Sequence, residues 1–159
     1  MQDVTIVAGT FEGLAPSKWP RLDFNWDTSA SAYLHTVNQP TGLIPSGHVP
    51  HKYVLALGWS TLDQVDQLLS PHSRQDHVSD FWERGQPHKF ARLLEHLHRG
   101  LPISPPMLKI VESGHLFLAG GHHRYAIARV VGVKELPFFV ETTIRERIAA
   151  TLPVRWSDA

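Results

Sequence analysis

The stretch Leu116-Phe117-Leu118-Ala119-Gly120-Gly121-His122-His123-Arg124-Tyr125-Ala126-Ile127-Ala128-Arg129 passes from an apolar run of strand type, through two adjacent glycines, straight into a helix-forming run. Glycines at such a corner let the backbone take positive φ and approach a ligand closely, and the opening helix presents unpaired amides and a partial positive charge. Arg124 can hold a phosphate with two parallel hydrogen bonds, and His122 and His123 can donate hydrogen bonds or shuttle protons. Gly120, Gly121, His122, His123 and Arg124 are therefore candidate phosphate-binding residues. On spacing alone, a plain tight turn with a solvated helix start explains the same residues equally well.

Upstream, residues 107–111 and 115–118 are short apolar runs joined by Glu112-Ser113-Gly114, which predicts a β-hairpin. Before it, Phe90, Leu93, Leu94 and Leu97 fall at i, i+3, i+4 and i+7, predicting a helix over residues 87–99 that Gly100 closes. Pro102, Pro105 and Pro106 then force an extended path. Downstream, residues 125–131 read as helix ended by Gly132, residues 136–140 as a buried strand and residues 143–150 as a closing helix, with a frayed tail from Pro153.

The first third is more irregular. Strands are expected at residues 4–8, at 21–26, where Leu22, Phe24 and Trp26 alternate with polar residues, and at 33–37, with a Pro/Gly-rich loop over 39–50. A strand over residues 53–57 precedes a helix running to Leu69, with Ser60 and Asp63 as its capping pair. Pro71 is expected to stop that helix, leaving residues 72–76 as an exposed loop, and Phe81-Trp82 heads a segment of ambiguous type.

With 159 residues and 42% hydrophobic content, the chain can bury one core. We expect a single domain over residues 1–159, with an irregular β-rich extension at 1–50 and a core at 51–150. Fifteen basic and fifteen acidic side chains cancel, so no overall field drives the chain onto nucleic acid or membrane, and any DNA contact must be local. The absence of cysteine excludes disulfides, thiolate metal sites and thiol nucleophiles, and fits a reducing cytoplasm. No signal-peptide pattern or long apolar run occurs, so a cytoplasmic protein without membrane insertion is expected.

The helix, the Pro102-Ile103-Ser104-Pro105-Pro106 lead-in, the hairpin, the turn from Gly120 to Arg124 and the exit Val131-Gly132-Val133-Lys134-Glu135-Leu136-Pro137 together resemble the ParB/sulfiredoxin superfamily over residues 102–141. The resemblance implies an α+β fold, a small mixed sheet with packed helices, that binds a nucleotide such as ATP with Mg2+ through the turn. The family's branches differ at residues this chain displays. Sulfiredoxin carries Gly-Gly-Cys-His-Arg at the turn, but its attacking cysteine falls on His122 and the chain has no thiol, which excludes sulfinic acid repair in that form. The chromosome-partitioning branch has Gly-Glu-Arg-Arg and a following DNA reader, for which about twenty residues after the core are too few. The serine-kinase branch has Gly-His-His-Arg but an acidic residue where Gly120 stands.

Stand-alone plasmid fertility-inhibition proteins of the oncogenic-suppression type look similar to this chain. That resemblance implies an ATPase with DNA-cleaving activity that interferes with conjugative DNA transfer, with DNA and conjugation or type IV secretion components as partners. Two alternatives stand beside it: a non-catalytic nucleotide-sensing module that blocks such a partner, and a small-metabolite kinase of the serine type. For catalysis, His123 and Glu112 are the expected proton or water handlers, and Glu112 is the candidate metal ligand. Lys89, Arg92 and Arg99 on the predicted helix are candidate DNA-backbone contacts. The dispersed tryptophans are expected in packing rather than base stacking.

Overall fold

The computed structural model describes residues 11–29, 55–75 and 78–157. The strands expected at residues 4–8 and 33–37 and the loop at 39–50 lie outside them. The described residues form an α+β structure with the strands β1 (Asn25–Trp26), β2 (Leu55–Thr61), β3 (Pro102–Ile103), β4 (Met107–Ile110), β5 (Leu116–Gly120), β6 (Glu135–Glu141) and β7 (Arg155–Ser157). The helices are α1 (Leu62–Leu68), α2 (Pro71–Arg74), α3 (Pro87–His98), α4 (His122–Val131) and α5 (Arg145–Thr151).

Five strands make the main sheet in the order β5-β4-β6-β2-β7. Its middle strand, β6, reads Leu136-Pro137-Phe138-Phe139-Val140, and all five of these residues are buried. An unbroken apolar run is what a strand covered on both faces requires. Leu136, Phe138 and Val140 face the principal core with Val65, Leu108, Leu116 and Tyr125, while Phe139 packs on the other side with Leu57. β6 pairs antiparallel with β2 from Leu55 opposite Glu141 to Thr61 opposite Glu135, and parallel with β4 at Met107 and Phe139. The β4–β5 hairpin forms as the Glu112-Ser113-Gly114 spacing predicts, and β5 runs on into Gly120, which pairs with Met107 beside a bulge.

α3 follows its apolar spacing. Phe90, Ala91, Leu94 and Leu97 are buried in a second core with Phe81, Trp82, Ile103 and Ile127. Leu22, Phe24 and Trp26 pack against this second core, so the alternation at residues 21–26 marks a genuine inward face. Only Asn25–Trp26 finds a partner strand, pairing parallel with Pro102–Ile103. The indole N–H groups of Trp19 and Trp82 both donate to the Leu14 carbonyl, at 2.9 and 2.8 Å, which places these tryptophans in packing.

Several local expectations are corrected. β2 extends to Thr61, so Ser60 is a buried strand residue whose hydroxyl donates to the Pro153 carbonyl at 2.8 Å, and the helix cap moves to Thr61. Thr61 Oγ1 accepts from the Gln64 amide at 3.2 Å and donates to Gln64 Oε1 at 3.0 Å, a reciprocal pair that replaces Ser60 and Asp63. Residues beyond Pro71 are not simply loop: Ser70 caps the short helix α2, and the buried Ser73 hydroxyl accepts from the Leu118 amide at 3.2 Å. Phe81-Trp82 forms a buried 3-10 turn capped by Asp80. The tail is not frayed, because Leu152 is fully buried and β7 adds an edge strand to β2.

Among the described residues, no helix is long and apolar enough to cross a membrane.

Candidate functional site: a basic cleft at the glycine turn

β5 delivers the chain to Gly121, whose φ of 88° is left-handed, and the helix α4 begins at His122. A side chain at Gly121 would be strained by that φ, and its Cβ would lie 2.8 Å from Pro106 Cβ and 2.9 Å from Arg124 Nη2. The turn thus closes only because this residue has no Cβ. Gly121 offers no side-chain cap, the first turn of α4 holds no acidic residue, and the first helical bond runs from the Tyr125 amide to the Gly121 carbonyl at 2.9 Å. The amides of His122, His123 and Arg124 precede that bond, so the positive end of the helix is left without an internal counter-charge.

We expect Gly121→Ala to lower folding stability by about 2 kcal/mol from the left-handed strain and the contact with Pro106. Denaturant unfolding of the purified variant measures this. A loss below about 0.5 kcal/mol would mean that the turn tolerates a side chain after all.

The turn opens into a cleft of about 660 Å³, a size typical of small-molecule sites. Gly120, Gly121, His122, His123 and Arg124 all line it, so the structure brings the five predicted turn residues together. The facing wall is α3, which presents Lys89, Arg92, Leu93 and His96. These residues stand at i, i+3, i+4 and i+7, the spacing of one helix face. The remaining lining comes from Asp27, Pro102, Ile103, Ser104 and Ala119.

Two predicted residues stand elsewhere. Glu112 is exposed in the hairpin turn beyond Ile110, whereas the glycine corner lies at the opposite end of the same hairpin, where Gly120 pairs with Met107. As a candidate catalytic group or metal ligand, it is separated from the cleft by the length of the hairpin. Arg99 lies one residue past the end of α3 and turns back to Glu95, with Nη2 2.8 Å from Oε1. Lys89 and Arg92 face the cleft and Arg99 does not, so the stripe expected on this helix is divided by the helix end.

His123 is held more tightly than a proton shuttle would be. Its ring packs edge-on against Phe90 at 4.7 Å and fills the space beside Gly85, where a Cβ would lie 2.6 Å from Nε2. Nε2 accepts the Gln86 amide hydrogen at 3.2 Å. The lone pair is therefore occupied and the other ring nitrogen carries the hydrogen, which makes His123 a hydrogen-bond donor and leaves it poorly suited as a general base. Burial, then the nearby charges of Lys89, His122, Arg124 and His88, pushes its pKa down to about 4. His122 is also lowered, first by burial and then by His72, while a hydrogen bond with the Leu118 backbone acts in the opposite direction. Burial pushes the Arg124 guanidinium down to about 10, so it remains charged at neutral pH.

The His123 shift has a direct consequence. The unfolded ring takes a proton near its ordinary value of 6.5, and the folded ring only near 4, so stability is retained above 6.5 and lost as pH falls between the two. After allowance for solvent screening of a partly exposed ring, we expect this residue to account for a loss of about 1 to 2 kcal/mol. Subtracting the pH-stability profile of His123→Gln from that of the parent isolates the contribution. A flat difference would show that the ring protonates as easily folded as unfolded.

Behind the cleft, α4 is fixed from its far side. The Tyr125 hydroxyl donates to Asp66 Oδ1 at 2.7 Å, and Arg129 Nε lies 3.2 Å from the same oxygen. Burial, then the hydrogen bond to Asp66 and its charge, push the Tyr125 pKa upward, against the opposing pull of Arg129 and Arg74. Arg129 Nη1 also donates to the Arg74 carbonyl at 3.1 Å, linking α4 to α2. The network lets the first turn of α4 point at the cleft from a rigid base.

The cleft residue that sequence reasoning missed is Asp27. Its amide donates to the Ile103 carbonyl at 2.8 Å, and its Oδ1 accepts from the Ser29 amide and hydroxyl at 3.0 and 2.6 Å. The only local signal is its place directly after the alternating Leu22, Phe24 and Trp26. Among the described residues no group of three or more His, Cys, Asp or Glu is arranged to hold a metal ion.

The fold and the site define an α+β protein with a basic cleft at a glycine-built helix start. No family model, curated protein or solved structure matches the chain.

Proposed function

We propose that this protein is a nucleotide-binding module, of ParB/sulfiredoxin-like arrangement, whose cleft grips the phosphate chain of a nucleoside triphosphate such as ATP. The observation that carries the reading is the convergence of Lys89, Arg92, Arg124 and the open start of α4 on one cleft. Isolated surface cations do little, but several donors aimed into one concavity concentrate an anion and hold it by charge-assisted hydrogen bonds. His123, presenting an N–H, adds a donor to the same end.

Binding is better supported than hydrolysis. Mg2+ is commonly held by one or two carboxylates together with the ligand's phosphates. Among the described residues, Asp27 is the single carboxylate lining the cleft, and it is anchored at Ile103, away from the turn. The donor set therefore fits Mg2+ that arrives on the phosphates and is held chiefly by them, and such an ion would screen charge within the phosphate chain. Neither of the two predicted handlers is placed to position a water molecule, since His123 has its lone pair engaged and Glu112 lies beyond the far end of its hairpin. The wider proposal, interference with conjugative DNA transfer, rests on the family resemblance. The cleft supports its nucleotide-binding step, and Lys89 and Arg92 are the residues by which a DNA backbone would compete.

Titration of the purified protein with ATP, with and without Mg2+, at two salt concentrations tests this reading, together with assays for phosphate release and plasmid nicking. We expect saturable binding that weakens with salt, no phosphate release and intact plasmid. Release of phosphate or nicked DNA, abolished by Arg124→Ala, would make the protein a hydrolase. Absence of binding to any triphosphate would end the nucleotide reading.

A further inference from the structure

Halfway along the cleft stands a polar group that the fold itself does not use. Ser104 is only 5% exposed, and among the described residues its hydroxyl has no hydrogen-bond partner. The oxygen is not sealed off from open space, and the space that the residue borders is the cleft. Keeping a hydroxyl out of bulk water without a bond is costly, so such a group in a binding cleft points to a ligand that completes it. Asp27, the other polar residue of this wall, has its carboxylate engaged by Ser29.

Two contacts fix where Ser104 stands. At the turn, Pro106 and Arg124 both lie against Gly121, and Lys89 stands beside His123. At the far end, the His96 ring bonds the Pro102 carbonyl through Nε2 at 2.6 Å. α3 and the prolyl segment therefore run antiparallel as facing walls. Ser104 is midway between Pro102 and Pro106, and Arg92 and Leu93 are midway between Lys89 and His96, so the two midpoints face each other. From Pro106 to Ser104 is roughly 7 Å of extended chain. From Lys89 to Arg92 is roughly 5 Å of helix. A single phosphate held at Arg124 stops short of this midpoint, whereas a second phosphate linked to it arrives between a hydroxyl and a guanidinium.

We propose that Ser104 is a specificity-determining residue whose hydroxyl donates a hydrogen bond to the second phosphate of a chain that begins at Arg124. The inference rests on the nucleotide reading and adds the shortest ligand that the cleft reads, two linked phosphates. Because the hydroxyl bonds nothing in the free protein, its removal should weaken binding without weakening the fold. A residue that merely holds the wall together would lose both.

The test titrates ATP, inorganic tripolyphosphate and orthophosphate into the parent protein and Ser104→Ala, with denaturant unfolding of both proteins free of ligand. We expect Ser104→Ala to bind ATP and tripolyphosphate about 10-fold more weakly, by the same factor for each. Orthophosphate, which reaches only the Arg124 end, should bind the two proteins equally or neither of them measurably. The free variant should be at least as stable as the parent. Unchanged affinity for both chains overturns the inference while nucleotide binding stands. A loss for ATP without one for tripolyphosphate, or the reverse, shows that the hydroxyl does not read the shared phosphates and overturns it in the same way. An equal loss for orthophosphate places Ser104 at the first phosphate, and a destabilised variant makes it a structural residue; either result defeats the proposal. If the parent binds neither ATP nor tripolyphosphate, the nucleotide reading falls and this inference with it.

Discussion

Replacing Arg124 with alanine is expected to weaken binding of a nucleoside triphosphate by at least about 100-fold, the equivalent of roughly 3 kcal/mol. The guanidinium is partly buried at the mouth of the turn, against Gly121 and Pro106, and burial lowers its pKa without removing its charge at neutral pH. A desolvated cation of this kind gains more from an anion than a solvated one, and its planar fork can hold two phosphate oxygens at once. Arg124→Lys keeps the charge and loses the fork, so an intermediate loss of about 10-fold is expected. Calorimetric titration of the three proteins, with circular dichroism to verify that each is folded, measures both effects. Equal affinity in all three would remove Arg124 from the site.

The largest effect on stability away from the cleft is expected at the C-terminal end. Leu152 is fully buried in the principal core, and Leu152→Ala should lower stability by about 2 to 4 kcal/mol, or the melting temperature by roughly 6 to 12 °C. Truncation after Leu152 should also be costly, because it removes β7 from the edge of β2 and the Pro153 carbonyl from the Ser60 hydroxyl. It also removes Trp156, which packs edge-on against Phe138 and carries Arg145 over its ring at 4.7 Å. Thermal melts of both variants measure these losses. A change of less than about 0.5 kcal/mol would mean that the tail is loosely attached.

The contrast between that tail and the glycine turn shows which features a sequence displays. The turn, α3 and the β4–β5 hairpin are written in short-range pattern: adjacent glycines, an i, i+3, i+4, i+7 repeat, and three turn-forming residues between apolar runs. Each depends on neighbours in the chain. β7 depends on β2, about a hundred residues away, with Leu57 opposite Ser157. Three residues, one of them a lone tryptophan, carry no period long enough to signal a strand.

The cap of α1 went to Thr61 rather than Ser60 for a similar reason. Pairing with β6 extends β2 through Thr61, and the strand end, not the local residue preference, decides where the helix starts. The cleft follows the same division. Its floor, Gly120 to Arg124, was legible because strand, turn and helix are contiguous. Its walls were legible in part: Lys89 and Arg92 share a helix face that a wheel displays, but the separation of Arg99 depends on where the helix ends and on Glu95. Asp27 was hidden because the parallel pairing of Asn25–Trp26 with Pro102–Ile103 alone carries it to the cleft. Glu112 was suggestive as a carboxylate close in sequence to the turn, yet the hairpin sends it to the opposite end.

The most direct test of the central claim is backbone amide NMR of the isotope-labelled protein during addition of ATP. Saturable shifts concentrated on the amides of residues 120–124, with smaller ones along the Lys89 and Arg92 face of α3, are the predicted result. Amides there that stay unmoved at millimolar ATP, or shifts confined to another part of the surface, would contradict it.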